Sequence, residues 1–418
     1  MDFNIAVKYL FDLGHETLAI KLGLRNTELL LAALDNPERA FPSVQIAGTN
    51  GKGSTAVMLD SICRAAGIRS GIYTSPHLVS ITERIKVSDV EITREDFAAC
   101  ATVVRDVSQQ LVTDKQIEAL PTFFEHITAI ALLAFRNARV ELAILETGLG
   151  GRLDSTTAAN ARIVGITSIA IDHEEYLGNT IESIAAEKAA IIRPGVRAVI
   201  ARQPQPAALN VLLNRCEQMG VTPILADSHM TDGLVLGLRG QHQKDNAAMA
   251  IGLAELLRTE GFAISDAAIV DGLKTVTHAG RLELIPHKPS FLIDGAHNPA
   301  GAQSLRNYLD QFAQRPLTLV FGAMRDKQLE QMGEILFPVA DTLVLTTIDN
   351  PRSASTEALQ TIASRFAKGT VLASASSSEA LQIALTSTPS EGLICMAGSL
   401  YLAGEMRPLI LSLSLGES

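Results

Sequence analysis

The sequence predicts an α/β fold with mostly parallel sheets, divided into two domains. Apolar runs of strand length alternate with segments of 3.6-residue periodicity along almost the whole chain, a pattern typical of β-α-β layers whose strands are buried on both faces. At 418 residues the chain exceeds what one hydrophobic core usually organises. Its hydrophobic fraction of 47% and charged fraction of 19% are those of a globular protein.

The first domain is predicted over residues 1–283. Its strands are predicted at SVQIA, VELAIL, RIVGITSIAI and RAVIA, and its helices at STAVMLDSICRAAG, EDFAACATVVRDVSQQL, TFFEHITAIALLAF and ESIAAEKAAII. The segment ITERIKVSDVEIT alternates in the manner of antiparallel strands. A helical stretch runs from Asn246 to about Val276 and ends at HAGRLELIPHKPSFLIDGAHNP, which is rich in Pro, Gly and His.

The second domain is predicted over residues 284–418 as a smaller, Rossmann-like α/β unit. There the alternation restarts as TLVFGA, KQLEQMGEILF, DTLVLTTI, TEALQTIASRF, SEALQIAL and LICMAG. A length of about 130 residues is common for a domain.

Composition and charge exclude several classes of function. The N-terminal MDFNIAVKYLFDLG lacks the features of a signal peptide, and apolar runs such as TAIALLAF are far shorter than the roughly 18 residues that span a bilayer. A net charge of −10 disfavours non-specific binding to nucleic acid or anionic membranes. Four scattered cysteines indicate reduced thiols. We therefore expect a cytoplasmic protein that acts on small molecules.

Residues 48–54, GTNGKGS, predict a phosphate-binding loop. They follow the strand SVQIA and precede a helix, so several N–H groups and the helix N-terminus can face one anion. Lys52 can reach the β- and γ-phosphates, and Ser54 or Thr55 can offer a hydroxyl near a metal. The spacing departs from the standard G-x-x-x-x-G-K-[ST], because Gly53 follows the lysine. A tight strand–helix connection without a ligand is the alternative interpretation.

Polar residues follow three predicted strands, at the edge where open α/β sheets bind ligands. These are Ser75, Glu146 and His173. A carboxylate at the end of a buried strand suits Mg²⁺, which prefers oxygen ligands. Ser75 before Pro76 could equally be a turn residue, and His173 between two acids a solvated one. Lys188, taken alone, is typical of a surface lysine.

Together these segments resemble one family, the folylpolyglutamate and dihydrofolate synthases of the Mur-ligase superfamily. The matching text is AGTNGKGS, YTSPHLVSITERIKV, ETGLGGRLD, TSIAIDHEEYLG, EKAAIIRPG, HQKDNAAMA, AGRLE, IDGAHNPAGA, PRSAS and AGSLYLAGEMR, in the family's order from about residue 45 to 407. The resemblance therefore covers nearly the whole chain.

The resemblance implies ATP and Mg²⁺ as cofactors and assigns roles to individual residues. The ATP phosphates would contact Thr49, Asn50, Gly51, Lys52, Gly53 and Ser54, and other nucleotide contacts would come from Asn246, Arg281 and Asp294. The Mg²⁺ positions would be Ser75, Glu146 and His173. Lys188 matches a lysine that is carbamylated in this superfamily. His297 and Asn298 complete the IDGAHNP motif, and the catalytic set would be Lys52, Lys188, His173, Asp294 and His297.

For the pterin-bearing substrate, two segments match the family. One is Thr122, Phe123, Phe124 and Glu125, and the other is Leu153, Asp154 and Ser155. A further contact segment would fall near residues 14–17. Phe123 and Phe124 could equally be core aromatics. Two positions depart from the family pattern, since Thr157 replaces the usual Asn and Ala279 the usual Pro.

The reaction implied is ATP-dependent formation of an amide between L-glutamate and a folate-pathway carboxylate. A free carboxylate is a poor acyl donor, so we expect ATP to phosphorylate it and the amine of glutamate to attack the acyl phosphate. Whether dihydropteroate, tetrahydrofolate or both are accepted stays open. A folylpolyglutamate synthase alone is one alternative, and the expected oligomeric state is a monomer.

Two other functions would account for part of the sequence. A peptidoglycan Mur ligase would carry a UDP-binding domain before the loop, whereas 47 residues precede Gly48. A nucleotide switch that hydrolyses ATP without ligation would account for GTNGKGS and leave the polar residues at the other strand ends unexplained.

Overall fold

Two compact units, each with its own sheet, make up the described chain. We analysed a computed structural model that describes residues 1–14 and 23–415. The first unit comprises Met1–Gly237 and Lys244–Val276, and the second Leu238–Gln243 and Thr277–Ser418. The predicted two-domain, mostly parallel α/β fold is confirmed. The proposed boundary after residue 283 remains a prediction, and the units themselves change over after Val276.

The first unit contains a twisted, mostly parallel sheet. The described strands are β1 (Ser43–Ala47), β2 (Ser70–Tyr73), β3 (Ile85–Val87), β4 (Val90–Glu91), β5 (Leu142–Glu146), β6 (Ile163–Ile166), β7 (Arg197–Ala201) and β8 (Ile224–Ala226). Their order across the sheet is β4-β3-β2-β5-β1-β6-β7-β8. All neighbours from β2 to β8 are parallel, while β3 and β4 pair in antiparallel fashion, as ITERIKVSDVEIT predicts.

Helices flank these strands. They are α1 (Phe3–Asp12), α2 (Arg25–Ala33), α3 (Lys52–Ala65), α4 (Arg94–Thr113), α5 (Phe123–Asn137), α6 (Glu174–Leu177), α7 (Ile181–Ala189), α8 (Pro206–Met219), α9 (His242–Thr259) and α10 (Asp266–Thr275). Hydroxyl side chains begin several of them, because an N-cap oxygen accepts an otherwise unsatisfied backbone N–H; examples are Thr93, Thr122, Thr180 and Ser265. The predicted helical stretch 246–276 is thus two helices.

The core of this unit lies on the central strands. Every residue of β1 and β5 is buried, which explains their continuous apolar sequences. Helix α5 is also buried on nearly all sides, with buried residues at almost every position from Phe123 to Phe135. Within the described ranges, no helix is both long and apolar enough to cross a membrane.

The run RIVGITSIAI forms a shorter strand than its apolar sequence suggests. Strand β6 ends at Ile166, and the following Ser168 and Ala170 turn towards the loop after β1, where their carbonyl oxygens accept hydrogen bonds. Periodicity does not distinguish these residues from a strand, since the difference lies in which backbone groups they pair with.

The second unit repeats the layered plan on a smaller scale. Its described strands are β9 (Glu283–Ile285), β10 (Ser290–Ile293), β11 (Leu317–Phe321), β12 (Thr342–Thr346), β13 (Thr370–Ser374) and β14 (Leu393–Ala397), and its helices are α11 (Pro299–Phe312), α12 (Leu329–Leu336), α13 (Thr356–Phe366), α14 (Ser377–Ser387) and α15 (Leu400–Leu415). The order is β13-β12-β11-β14-β10-β9. Only β9 runs antiparallel to its neighbour among these strands.

Candidate active site

The loop 48–54 connects the buried strand β1 to helix α3 and is held by the residues after β6. The backbone N–H groups of Thr49 and Asn50 donate to Ser168 O at 2.9 and 3.2 Å. The Thr49 hydroxyl donates to Ala170 O and accepts from Ala170 N, both at 3.1 Å. Lys52 Nζ donates to Thr49 O at 3.1 Å. These bonds fix the loop from one side and start α3 at Lys52, so the helix N-terminus lies directly at the loop.

Glycine is required at two points of this loop. Gly48 has φ +147° and Gly51 has φ +92°, a region that residues with a Cβ rarely adopt. A Cβ on Gly48 would overlap the Thr167 side chain, and one on Gly51 would overlap the amide of Asn246 on α9. The structure therefore brings the predicted nucleotide contact Asn246 against the glycine loop.

A buried hydroxyl at the start of α3 has no hydrogen-bond partner among residues 1–14 and 23–415. Thr55 is fully buried, and its Oγ1 is one of few buried side-chain atoms without a partner among the described residues. Ser54 is also buried. The sequence left open which of the two hydroxyls serves a ligand, and the unsatisfied oxygen of Thr55 is a group that a bound ligand or water would complete.

The predicted metal residues Ser75 and Glu146 lie together. Strands β2 and β5 are adjacent and parallel, so their carboxyl ends meet at one edge of the sheet. Glu146, 5% exposed, accepts a hydrogen bond from Ser75 N through Oε2 at 3.1 Å. A buried carboxylate beside a hydroxyl-bearing residue offers the hard oxygen ligands that Mg²⁺ prefers. The donor set therefore fits this ion.

His173 remains a predicted ligand only. It precedes α6 with φ +54°, and its backbone N–H donates to the buried carboxylate of Asp172 at 2.9 Å. No group of three or more His, Cys, Asp or Glu side chains arranged to hold a metal occurs in residues 1–14 and 23–415. Mg²⁺ usually keeps several waters and binds one or two carboxylates, so a single buried carboxylate is compatible with this ion.

Lys188 is buried, contrary to what a lone lysine on a helix suggests. It is 4% exposed on α7, and its Nζ donates to Gly48 O, at the start of the loop, at 2.8 Å. Burial, followed by the positive charge of Lys52, lowers the pKa of Lys188 from 10.5 to about 7. A large fraction of this amine is therefore uncharged near neutral pH.

The first predicted substrate segment is shaped by a capping box. Thr122 Oγ1 accepts from Glu125 N, and Glu125 Oε2 accepts from Thr122 N at 2.7 Å. Glu125 Oε1 accepts from the Thr27 hydroxyl at 3.2 Å. Both carboxylate oxygens of Glu125 thus have partners in the protein, so a part of its role is to fix the start of α5. Direct substrate contact by Glu125 stays a prediction.

The two aromatic residues of this segment differ in exposure. Phe123 is 2% exposed; Phe11 stacks on it at 5.7 Å between ring centroids, and Arg84 Cζ lies 5.4 Å from the centre of its ring. Phe124 is only partly buried, and its ring packs against Gly148: a Cβ added to that glycine would lie 2.6 Å from Phe124 Cε2. The core alternative therefore describes Phe123, whereas Phe124 is partly exposed beside Gly148, in the loop that follows Glu146.

That second segment is organised around a buried carboxylate. Asp154 accepts hydrogen bonds from Gly148 N, Leu149 N and both the N–H and hydroxyl of Thr156, at 2.5–3.0 Å. Burial raises the pKa of Asp154, against the lowering effect of these hydrogen bonds. Leu153 is half-buried and Ser155 is buried. Asp154 thus holds the loop that follows Glu146, and its predicted contact with substrate remains a prediction.

Sequence reasoning missed the support under this loop. Gln45 in the middle of β1 is fully buried and donates to Thr156 Oγ1 and Thr157 Oγ1 at 3.0 and 2.7 Å. Thr157 in turn donates to Gly151 O at 2.7 Å. The threonine that replaces the family's usual Asn therefore has a defined role here. A polar residue inside the apolar run SVQIA was the available signal.

A second missed group lies behind the first substrate segment. His126 is fully buried on α5. Its Nε2 lies 3.2 Å from Tyr9 Oη and 3.1 Å from Ser108 Oγ, and its Nδ1 lies 3.1 Å from Thr122 O. Burial lowers the pKa of His126 to about 4. As a neutral imidazole, His126 joins α1, α4 and α5.

The predicted contact segment at residues 14–17 lies, apart from Gly14, outside the described residues.

In the second unit, the AGRLE and IDGAHNP motifs are interlocked. Gly295 N donates to Gly280 O at 2.8 Å, and Asp294 accepts from Leu282 N and Ala296 N, both at 2.9 Å. A Cβ on Gly295 would approach Arg281 Nη1 to 2.5 Å, so the guanidinium lies over this glycine. The predicted residues Arg281 and Asp294 are therefore neighbours.

The remaining two predicted residues have structural partners. His297 Nδ1 lies 2.8 Å from Gly295 O. Asn298 is the N-cap of α11 and accepts from Gly301 N at 2.8 Å. The roles of His297 in catalysis and of Asn298 in the motif stay predictions.

Comparison with known proteins gives consistent results. Residues 46–205 match the Mur ligase middle domain, and residues 280–400 match the glutamate ligase domain of Mur ligases. The dihydrofolate synthase/folylpolyglutamate synthase of Bacillus subtilis is 33% identical over 94% of this chain and 96% of its own length.

Solved structures agree with the sequence relatives. Escherichia coli FolC in complex with DHPP and ADP has a TM-score of 0.87 and 29% identity, over 99% of this chain and 98% of the other. The bifunctional folylpolyglutamate synthase/dihydrofolate synthase of Yersinia pestis, complexed with AMPPNP and Mn ion, has a TM-score of 0.84 and 26% identity, over 98% of both chains. The chain belongs to the dihydrofolate synthase/folylpolyglutamate synthase family.

Proposed function

We propose that this member of the dihydrofolate synthase/folylpolyglutamate synthase family joins L-glutamate to the carboxylate of a pterin acid at the expense of ATP. The observation that carries this function is the loop 48–54, which lies between the buried parallel strand β1 and the N-terminus of α3. Strand β1 pairs with β5, which ends at Glu146, the hydrogen-bond partner of Ser75. Dihydropteroate and a reduced folate are the two acceptors. We favour a bifunctional enzyme because three bacterial relatives that match over 80% or more of their own length are named for both activities, while other relatives are named for one of them.

The first chemical step transfers the γ-phosphoryl group of ATP to the substrate carboxylate. The carboxylate oxygen forms a bond to γ-phosphorus, the bond to the bridging oxygen breaks, and ADP leaves. Lys52 at the loop and the N-terminus of α3 stabilise negative charge on the phosphates. Mg²⁺, when bound, neutralises charge on the phosphate oxygens, and Ser75, Glu146 and His173 are the residues proposed to hold it.

The second step forms the amide. The neutral amine of glutamate attacks the acyl carbon, the C–O bond to phosphate breaks, and the amine loses a proton. His297 and Asp294 are the two candidate acceptors of this proton. The product is the glutamyl amide, together with ADP, phosphate and one proton from the ammonium group. Phe124 and the loop held by Asp154 are proposed to position the pterin acid, since a partly exposed aromatic ring beside a fixed loop suits a flat substrate ring.

We further propose that Lys188 is carbamylated in the active enzyme. A pKa of about 7 leaves enough neutral amine to attack CO₂, giving a carbamate and releasing a proton. The carbamate nitrogen keeps one N–H, so the hydrogen bond to Gly48 O can persist. The new carboxylate would lie in a buried position close to Lys52, whose charge compensates it.

The ligase function is tested by product analysis. Purified protein is incubated with ATP, Mg²⁺ and L-glutamate, and with dihydropteroate or tetrahydrofolate in separate reactions, and products are identified by mass spectrometry. We expect a mass gain of one glutamate residue, with ADP and phosphate formed in equal amounts. ATP hydrolysis of the same rate without any pterin acid, and no glutamate incorporation, would instead indicate a nucleotide switch.

Carbamylation is tested on the protein itself. Incubation with ¹³C-bicarbonate should give a carbamate carbonyl signal in the NMR spectrum, and this signal should be absent from Lys188→Met. Lys8→Met, which removes an exposed lysine of α1, is the matched control and should retain the signal. A wild-type spectrum without it, in protein that shows ligase activity, would exclude the modification while leaving the ligase function intact.

The cytosol is the compartment we propose. All four cysteines are free and buried, as expected for a protein that matures under reducing conditions.

A further inference from the structure

The turn that presents Arg281 is in a strained backbone conformation. Gly280 has φ +69° and Leu282 has φ +45°. The first value is normal for glycine, but a leucine in the left-handed region is uncommon because its Cβ approaches the backbone. Such a residue keeps its conformation only where surrounding contacts enforce it.

An ion pair holds the turn on one side. The Glu283 carboxylate accepts a hydrogen bond from Gly280 N at 2.9 Å. Arg407 donates to the same carboxylate through two nitrogens. Its Nε lies 3.0 Å from both carboxylate oxygens, and its Nη2 lies 2.9 Å from Oε1. The arginine side chain is 29% exposed and that of the glutamate 18%. This two-pronged geometry fixes direction as well as distance, which a single charge contact does not.

Backbone contacts hold the turn on the other side. Gly295 N donates to Gly280 O, and Leu282 N donates to Asp294 Oδ2. The N–H groups on either side of Arg281 are thus both bound by carboxylates, those of Glu283 and Asp294. Because its neighbours are fixed, the side chain of Arg281 has a defined path over Gly295.

We propose that Glu283 and Arg407 are positioning residues for the nucleotide, acting through Arg281. Glu283 in the AGRLE motif and Arg407 in the AGEMR motif are 124 positions apart in the sequence. In this proposal Arg407 orients Glu283, Glu283 holds the Gly280 N–H, and the turn directs the Arg281 guanidinium at an ATP oxygen. The inference rests on the proposed ligase function and on the nucleotide contact that the family resemblance implies for Arg281.

The test is a double-mutant cycle on the full chain. Arg407→Met removes the guanidinium and keeps a long apolar side chain. We expect the KM for ATP to rise about tenfold, as for the loss of one oriented charged hydrogen bond, and the KM for the pterin acid to stay unchanged, because its proposed segments lie in the first unit. In an Arg281→Ala background, Arg407→Met should change the KM for ATP by less than about twofold.

Two further variants keep the result interpretable. Arg407→Lys and Glu283→Gln each retain a polar side chain, so they replace Arg407→Met as the test if that variant does not fold. Both should raise the KM for ATP in the otherwise wild-type chain. In the Arg281→Ala background neither should raise it. The matched control is Arg365→Met, which breaks another arginine–glutamate pair of the same unit, Arg365–Glu330 between α13 and α12. It should leave all KM values unchanged.

The outcomes separate the possible failures. The positioning role would be overturned if the effects of Arg407→Met and Arg281→Ala on the KM for ATP multiply in the double variant. It would also be overturned if Arg407→Met lowers the melting temperature but leaves the KM for ATP unchanged. An unchanged KM for ATP in Arg281→Ala alone would remove the nucleotide contact and the proposal with it. Absence of ligation in the wild type is a different result, because it contradicts the proposed function itself.

Discussion

Each unit places a predicted nucleotide contact over a glycine, and the two places are built differently. In the first unit the amide of Asn246 lies against Gly51, and in the second the guanidinium of Arg281 lies against Gly295. Gly51 also has φ +92°, whereas Gly295 has no such backbone requirement. Gly51 therefore meets two requirements, a left-handed backbone and a close contact, whereas Gly295 meets only the second.

The difference indicates which chemical group each unit can offer to a ligand. Around Gly51 the main chain starts a helix, so N–H groups themselves can bind an anion. Around Arg281 the neighbouring N–H groups donate to the carboxylates of Glu283 and Asp294, which leaves the side chain as the binding group. We infer recognition through the backbone in the first unit and through a side chain in the second.

The largest effect is expected for Gly51→Ala. The new methyl group would overlap Asn246 and place alanine in the left-handed region, so both the loop N–H groups and the amide must move. We expect kcat/KM for ATP to fall by about a hundredfold or more, since misplacement of this kind affects positioning and charge stabilisation together. Steady-state kinetics and nucleotide-binding measurements check this.

A matched control separates strain from contact. Gly67 has φ +76° and no atom within 4 Å of an added Cβ. Gly67→Ala should therefore cost stability, about 1 kcal/mol, with normal kinetics. Equal kinetic losses in Gly51→Ala and Gly67→Ala would show that strain alone, and not the loop's contact with Asn246, governs activity.

An intermediate effect is expected for Gly295→Ala. Its Cβ would approach Arg281 Nη1 to 2.5 Å and also overlap Leu400, while the backbone can keep its conformation. Displacing the guanidinium should raise the KM for ATP about tenfold. The control Gly301→Ala adds a methyl group in α11 whose nearest neighbours are at 3.4 Å, and it should be neutral in kinetics. A loss as large as that of Gly51→Ala would remove the distinction between the two units.

The smallest effect concerns pH and the first unit alone. The pKa of His126 is lowered by burial from 6.5 to about 4, so between these values the unfolded chain binds a proton that the native state does not. The free energy of unfolding should therefore fall as the pH drops from 6.5 towards 4, by at most about 1.4 kcal/mol per pH unit from this group. Above pH 6.5 the group has no such effect.

Denaturant unfolding at several pH values checks this. His126→Asn, which can still donate to Thr122 O, should flatten the pH dependence between 4 and 6.5. The exposed His229, with 87% of its side chain accessible, supplies the control His229→Asn, which should retain the slope. The slope rather than the absolute stability is diagnostic, because the Tyr9 and Ser108 contacts of His126 are also lost. An unchanged slope in His126→Asn would assign the acid sensitivity to other groups.

Much of the site follows from local sequence because parallel strands share an edge. The polar residues that follow the predicted strands indicate one ligand-binding edge. Strands β1, β2 and β5, which precede the glycine loop, precede Ser75 and end at Glu146 respectively, are adjacent in the sheet. The contact between Ser75 N and Glu146 follows from that adjacency. By contrast, the length of the apolar run RIVGITSIAI did not predict the length of β6, because the strand ends where its backbone pairing ends and not where the apolar residues end.

The sequence by itself determined the layered α/β architecture, the glycine loop and the family, since periodicity and short motifs are local properties of the chain. Only the tertiary structure decided which side chains are buried and which atoms they meet: that Lys188 is a buried amine at Gly48, that Glu125 is engaged in a helix cap, and that Glu283 and Arg407 form a pair. Burial and long-range pairing set pKa values and orientation, and both arise from residues distant in sequence that the fold brings together.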